Sequence, residues 1–139
     1  DRDLKAVAEL LNELKEVAST DSDFHEEDLK DIFKAMANSD VYLNLVAEMN
    51  GEIVGFISMI FYKTLFHKGG TALINELIVS DRHRGKGIGR MLIDRAREEA
   101  IGRGMDELEV GTEKTNKAAQ AFYKKCGFDE EYILLGMEF

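Results

Sequence analysis

The sequence predicts a single α/β domain, a mixed and mostly antiparallel sheet with helices packed on it. Three features predict it. Residues 41–79 carry three strand-like apolar runs joined by short turns, the pattern of an antiparallel meander. Residues 73–90 pass from a near-continuous apolar run through a turn dense in glycine and positive charge into an amphipathic segment, which reads as strand, loop and helix start. Helical periodicity recurs before and after this block. The 139 residues are enough for one core, and no proline, internal repeat or low-complexity linker marks a boundary, so residues 1–139 read as one domain.

In order, residues 2–18 place Leu4, Val7, Leu11, Leu14 and Ala18 at helical spacing, with charge on the other face. Residues 19–24 read as a loop in which Asp23 caps the next helix, with Glu26 three positions on. That helix shows Leu29, Ile32, Phe33 and Met36 on one face. Phe24, Phe33 and Met36 read first as core and second as the wall of an acceptor pocket. Val41 to Met49 is a strand, Asn50-Gly51 a hairpin turn, and residues 52–62 the returning strand. Residues 63–70, ending Gly69-Gly70, turn the chain into the strand 71–79. Ile88, Met91, Leu92, Ala96 and Ala100 form the apolar face of the next helix, which Gly102 and Gly104 stop. Leu108-Glu109-Val110 is a short strand. Thr115 is expected to cap a last helix with Ala118, Ala119, Phe122 and Tyr123 on its apolar side, ended by Gly127. Residues 128–139 read as a final strand around Tyr132-Ile133-Leu134-Leu135.

The bulk numbers exclude several functions. A net charge of −9 disfavours nucleic acid, whose binding rests on neutralising phosphates with Lys and Arg. No apolar run is long enough to span a membrane and no leader peptide is visible, so neither nucleic acid nor membrane is expected as a partner. Cys126 is the only cysteine and has no internal disulfide partner, which fits a cytoplasmic protein. His25, His67 and His83 are scattered without the spacing of a zinc site, and no metal is expected.

Against the acidic background, residues 82–90 stand out. Backbone N–H groups at a helix start have no intrahelical partner and can bind an anion. Gly85, Gly87 and Gly89 would let a phosphate approach the backbone, while Arg82, Arg84, Lys86 and Arg90 supply positive charge. The spacing is neither that of a P-loop nor that of the dinucleotide fingerprint. A pyrophosphate cradle and a solvated basic turn both fit the residues alone.

Two motifs narrow this. Arg84-x-x-Gly87-x-Gly89 follows a strand and opens a helix; Asn116-x-x-Ala119-x-x-Phe122-Tyr123-x-x-x-Gly127-Phe128 follows the next strand. In that order they resemble the GNAT N-acetyltransferase superfamily, from about Leu4 to the C-terminus. The resemblance implies a twisted mixed sheet with helices on both faces and splayed fourth and fifth strands. It implies acetyl-CoA as co-substrate and an amine as acceptor. By position, Leu77, Ile78 and Val79 would pair with the pantetheine arm, and Arg84, Gly85, Lys86, Gly87, Ile88, Gly89 and Arg90 would hold the pyrophosphate. Asn116, Phe122 and Tyr123 would lie along the CoA arm, though Asn116 reads equally well as a helix cap. Tyr123 matches the family's general acid, a phenol with pKa about 10 that keeps its proton at neutral pH and protonates the leaving thiolate. The family begins with a strand before its first helix, whereas this chain begins at that helix, and only residues 128–139 follow Gly127, where the family often has two strands.

The base is expected to be Glu76, which interrupts a strand apolar on both sides, where desolvation would raise its pKa. Glu109 and Glu113 are rivals, and any of the three could act through a water. The function expected is acetyl transfer from acetyl-CoA to a primary amine of a small molecule by direct attack. Acetylation of a protein N-terminus or lysine, and a silent CoA-binding sensor, are the alternatives. The acceptor's identity is open, and a homodimer through the outer sheet edges is allowed.

Overall fold

The computed structural model describes residues 2–15 and 23–139. Helices α1 (Leu4–Lys15) and α2 (Glu26–Ala37) precede strands β1 (Tyr42–Met49), β2 (Glu52–Tyr62) and β3 (Thr71–Val79). After a 3-10 turn at Asp81–His83 come α3 (Ile88–Gly102), β4 (Glu107–Val110) and α4 (Lys117–Lys125). The sheet order is β1-β2-β3-β4, antiparallel except for the parallel β3–β4 pair. The expected fold class holds: a mixed, mostly antiparallel sheet with helices on both faces.

Each face has its own core. On one side, Ile57, Met59 and Phe61 of β2 and Ile74 of β3 pack under Ile88, Leu92, Ile93 and Ala96 of α3. On the other, Phe56 and Ile78 pack under Leu4, Val7, Leu11 and Leu29 of α1 and α2. Period-two alternation along β2 supplies both cores, which is why its centre is buried throughout. The β1–β2 turn is the expected Asn50-Gly51 pair, both at positive φ, +52° and +79°, as a hairpin turn matching strand twist requires.

A bulge in β3 changes which side chains face which core. Ser58 pairs with Glu76 but Met59 pairs with Ile74, so Asn75 is the extra residue. Before it, Ala72 and Ile74 face α3; after it, Leu77 and Val79 do, while Ile78 joins the α1/α2 core. Glu76, two residues from Ile78, is thereby turned to the α1/α2 face.

Both helices that flank β4 end in the same way. Gly104 N–H bonds Ile101 O at 2.9 Å and Met105 N–H bonds Ala100 O at 3.0 Å, with Gly104 at φ +74°. At the end of α4, Gly127 N–H bonds Lys124 O at 3.0 Å and Phe128 N–H bonds Tyr123 O at 3.1 Å. These are Schellman closures, in which a left-handed residue lets the chain satisfy its last carbonyls.

Several local expectations are corrected. Asp23 does not cap α2: His25 occupies the cap position without a side-chain bond, and Asp23 instead pairs with Lys15 across the connection. Opposite charge at close range outcompetes a weaker dipole interaction there. Met91 is 54% exposed, and Ile93 takes its place in the α3 stripe, because the buried arc runs through residues 88, 92, 93, 96 and 100. Thr115 is not the α4 cap; Asn116 is, and Ala118 faces solvent. Ile32 is half exposed while its neighbour Leu29 is buried. Residues 128–139 form no strand among the described residues, and Ile133, Leu134 and Leu135 are exposed. A strand needs a ladder, and β4 offers only residues 107–110, already paired to β3 on one edge. Ala18 and residues 19–22 lie outside the described residues. No described helix is long and apolar enough to cross a membrane.

Candidate active site

β3 is paired to β4 only from Thr71 to Ile74. Beyond that point the two strands part, and Asn75 to Val79 have no partner on the β4 side among the described residues. Leu77, Ile78 and Val79 therefore present one unpaired backbone edge, a template for an extended ligand. This is the splay that the sequence resemblance implies.

The loop at the end of that edge is shaped by backbone conformation. Gly85 has φ +76° and Gly87, the residue before α3, has φ +81°, both in the left-handed region. A Cβ at either position would meet nothing within 4 Å, so the space over the loop is open. Gly89 is there for another reason: its missing side chain admits Phe122, whose Cζ would lie 3.0 Å from a Cβ. It serves the contact between α3 and α4 more directly than the approach of a phosphate.

The start of α3 has no side-chain cap and no acidic residue in its first turn. Its N-terminal N–H groups and partial positive charge are available to an anion. The side chains around it are less free than the sequence suggests. Arg82 pairs with Glu52 at 2.5 Å, Arg84 with Asp81 at 2.7 Å, and Arg90 with Asp94 at 3.4 Å. Lys86 makes no ion pair among the described residues. Such exposed pairs are each worth about 0–1 kcal/mol, so a phosphate can exchange for a carboxylate here.

α4 is anchored from α3. Arg90 Nη1 donates to Lys125 O at 3.1 Å and Arg97 Nη2 to Cys126 O at 2.5 Å, so two arginines bind the carbonyl end of α4. Asn116 Oδ1 accepts from Ala119 N–H at 3.0 Å, which is the cap reading; its Nδ2 makes no hydrogen bond among the described residues. Tyr123 sits three residues before the α4 cap. Its ring meets Phe122 at 5.5 Å and Phe128 edge-on at 5.8 Å. The second contact is the apolar contact that accompanies a Schellman closure, so the Phe-Tyr-x-x-x-Gly-Phe spacing has a local cause. Burial, and then the nearby Cys126 thiol, push the Tyr123 phenol above its ordinary value, and it is a neutral donor at physiological pH.

Glu76 is half-buried on the α1/α2 face. Burial pushes its carboxyl above the ordinary range, and the adjacent Ser58 hydroxyl offsets part of that. Glu109 belongs to a different cluster. It is level with Leu73, not Glu76, and accepts from the Tyr62 hydroxyl at 3.1 Å. With Glu107, which pairs with His67 at 2.7 Å, it lines a cleft of about 280 Å³ walled by Tyr62, Phe66 and Tyr132. Glu113 is exposed, and its backbone oxygen supports the turn into α4. Phe33 stacks edge-on against Phe56 at 5.8 Å and Phe24 packs on the same core. The packing reading holds for both.

Sequence reasoning missed Asn12, Asn44 and Ser58. Asn12 holds both backbone groups of Phe24, at 2.9 and 2.8 Å, and so fixes the entry to α2. No local pattern marks these residues, because what faces each of them is set by packing between elements.

Known proteins bear on this arrangement. The model of the Acetyltransferase (GNAT) family matches residues 4–128. An uncharacterized N-acetyltransferase of Methanocaldococcus jannaschii is 36% identical over 105 residues, 75% of this chain and 46% of that protein. The chain thus spans about half the length of that relative. The crystal structure of a transcriptional regulator from Bacillus halodurans superposes with TM-score 0.84 at 25% identity, covering 100% of this chain and 95% of that one. A structure of AAC(6′)-Iy in complex with the bisubstrate analog CoA-S-monomethyl-acetylneamine superposes with TM-score 0.79 at 18% identity, covering 100% and 93% of the two chains. The chain belongs to the acetyltransferase (GNAT) family.

Proposed function

We propose that this chain transfers an acetyl group from acetyl-CoA to a primary amine of a small molecule. The observation that carries the reading is the continuity of the unpaired Leu77–Val79 edge with the uncapped start of α3. An extended arm with a pyrophosphate at one end fits that combination. Family membership supports an acetyl-CoA donor, and the AAC(6′)-Iy complex is a related fold holding a CoA bisubstrate analog.

Bound there, acetyl-CoA would supply an activated acetyl group. The residues of this chain do the rest. Backbone N–H groups at Gly85 to Arg90 hold the pyrophosphate, and the β3 edge orients the arm. Glu76 accepts the proton that the amine loses as its nitrogen attacks. Its raised pKa brings it closer to the amine's, which makes that transfer less uphill. Tyr123 donates toward the departing thiolate. An ordinary phenol, with pKa about 10, already lies above a thiol at about 8.5 and burial widens the gap, so full transfer from Tyr123 is uphill and its contribution is partial.

The test is release of free thiol from acetyl-CoA with a panel of primary amines, polyamines and amino sugars. Amine-dependent thiol release is expected. Tight CoA binding with no turnover on any small amine, but acetylation of a lysine peptide, would overturn the small-molecule acceptor.

A further inference from the structure

Three polar side chains stand in one line across the α1/α2 face of the sheet. The register sets Asn44 of β1 opposite Ser58 of β2, and Ser58 opposite Glu76 of β3. Leu43 and Leu45 on β1, and Ile57 and Met59 on β2, pack toward α3, so Asn44 and Ser58 project to the other face. The bulge at Asn75 brings Glu76 to that face too.

Two atoms of this row have no partner. Ser58 is 1% exposed, and its hydroxyl makes no hydrogen bond; Asn44 Oδ1 is equally buried and equally unpaired. Asn44 Nδ2 donates to Met36 Sδ at 3.4 Å. That contact fixes the amide's orientation, because the flipped form would set oxygen against sulfur lone pairs. Buried polar atoms are nearly always paired, and an exception calls for a reason.

Counting protons supplies one. Ser58 has a single hydroxyl proton, and the register sets two acceptor-bearing residues across from it, Glu76 on one neighbouring strand and Asn44 on the other. With Glu76 ionised, only one of them can be served. With Glu76 protonated, its O–H can donate to Ser58 Oγ, and the Ser58 O–H can turn to Asn44 Oδ1, so that every group is satisfied.

We propose that Asn44, Ser58 and Glu76 act as one proton-responsive row, in which Ser58 holds the ionised Glu76 as base and Asn44 receives the Ser58 hydroxyl once Glu76 has taken the acceptor's proton. This rests on the reading of Glu76 as base. The proton balance is simple. The amine's proton moves to a Glu76 oxygen, the Ser58 O–H only rotates, and Glu76 returns its proton to solvent through its exposed side. Ser58 and Asn44 are positioning residues.

Among the described residues, no other ionisable group is set to act on Glu76. The neighbours of Ser58 on this face of β2 are Phe56 and Ile60, and α2 offers Phe33 and Met36 while all its charged residues are exposed. On α1, Lys5 and Glu9 are exposed, Lys15 pairs with Asp23, and Glu13 accepts from Asp81 N–H at 3.0 Å. On β1, Tyr42 and Glu48 share the face, and Glu48 is 3.6 Å from Arg2. Glu109 of β4 is level with Leu73.

The experiment is a carboxyl 13C NMR titration of the glutamate-labelled chain, which needs no acceptor. The Glu76 resonance is assigned by its loss in Glu76→Gln. Ser58→Ala should raise the Glu76 midpoint and Asn44→Leu should lower it, each by roughly half a pH unit. Ser58→Thr should restore the original midpoint. The opposite signs are diagnostic, since a merely structural role makes both variants less polar and raises both midpoints. Two rises, or no movement in either, overturn the row; Asn44→Ala repeats the arm if Asn44→Leu does not fold. Failure of the base itself shows separately, as undiminished turnover in Glu76→Gln with these midpoints unaffected.

Discussion

The unpaired end of β3 and the α1/α2 face of the sheet are built from different materials. At the C-terminal end of β3, the loop proposed to hold the donor is made by backbone: two left-handed glycines, an uncapped helix start and an unpaired strand edge. On the α1/α2 face, the proposed acceptor side is made by side chains that register and one bulge set in a row on β1, β2 and β3. A backbone-built site restricts residue types, because only glycine sits easily at φ near +80°. A site built from side chains restricts only their placement.

This contrast is open to attack at both ends. The largest effect is expected at the donor loop. Gly87→Glu adds a carboxylate where the anion would sit, and CoA affinity should fall by at least about 10²-fold by calorimetry. The added Cβ meets nothing within 4 Å, so circular dichroism should show an intact fold, with a modest loss of stability from the φ of +81°.

Glu76→Gln comes next. On the acceptor face it should lower kcat by about 10²-fold and leave CoA affinity unchanged. It should also raise Tm at neutral pH. Burial raises the carboxyl's pKa in the folded chain, so the folded state binds more protons than the unfolded state between the ordinary and the raised value. Stability is then lost as pH rises through that window, and Gln escapes the loss. A Tm gain that vanishes below the ordinary carboxylate range is the expected signature.

Tyr123→Phe should cost roughly 10- to 10²-fold in kcat, with CoA affinity within about twofold, because the phenol's help is confined to the transition state. The ring contacts with Phe122 and Phe128 survive the change, so the melting curve should barely move. A donor with a more acidic leaving thiol should recover most of the loss. The smallest effect is at Asn116→Ala, which removes the α4 cap and should lower stability by about 1 kcal/mol in a denaturant titration.

The same contrast explains what could be read from the sequence. The meander, the Asn50-Gly51 turn and the strand-loop-helix at residues 71–102 were legible because turn chemistry and periodicity are local. So was the end of α4, where the spacing of Tyr123 to Gly127 and Phe128 is set by one helix closure. Capping was read less well. Asp23 lies two residues before the actual cap position and found Lys15, and Thr115 lost its place to Asn116 by one residue. The Asn44–Ser58–Glu76 row was illegible, since no pattern within a strand reveals which residue will lie across from it or where a bulge will turn the face. For the final segment, apolar content alone suggested a strand, but a strand exists only with a partner to pair it.

The most direct test of the division between a backbone-built donor end and a side-chain-built acceptor face is a backbone amide NMR titration with acetyl-CoA. Amides of Gly85 to Arg90 and of Leu77, Ile78 and Val79 should shift together, and those of Asn44 and Ser58 should stay in place until an amine is added. Shifts concentrated around Tyr62, His67 and Glu109, or none at residues 77–90, would contradict it.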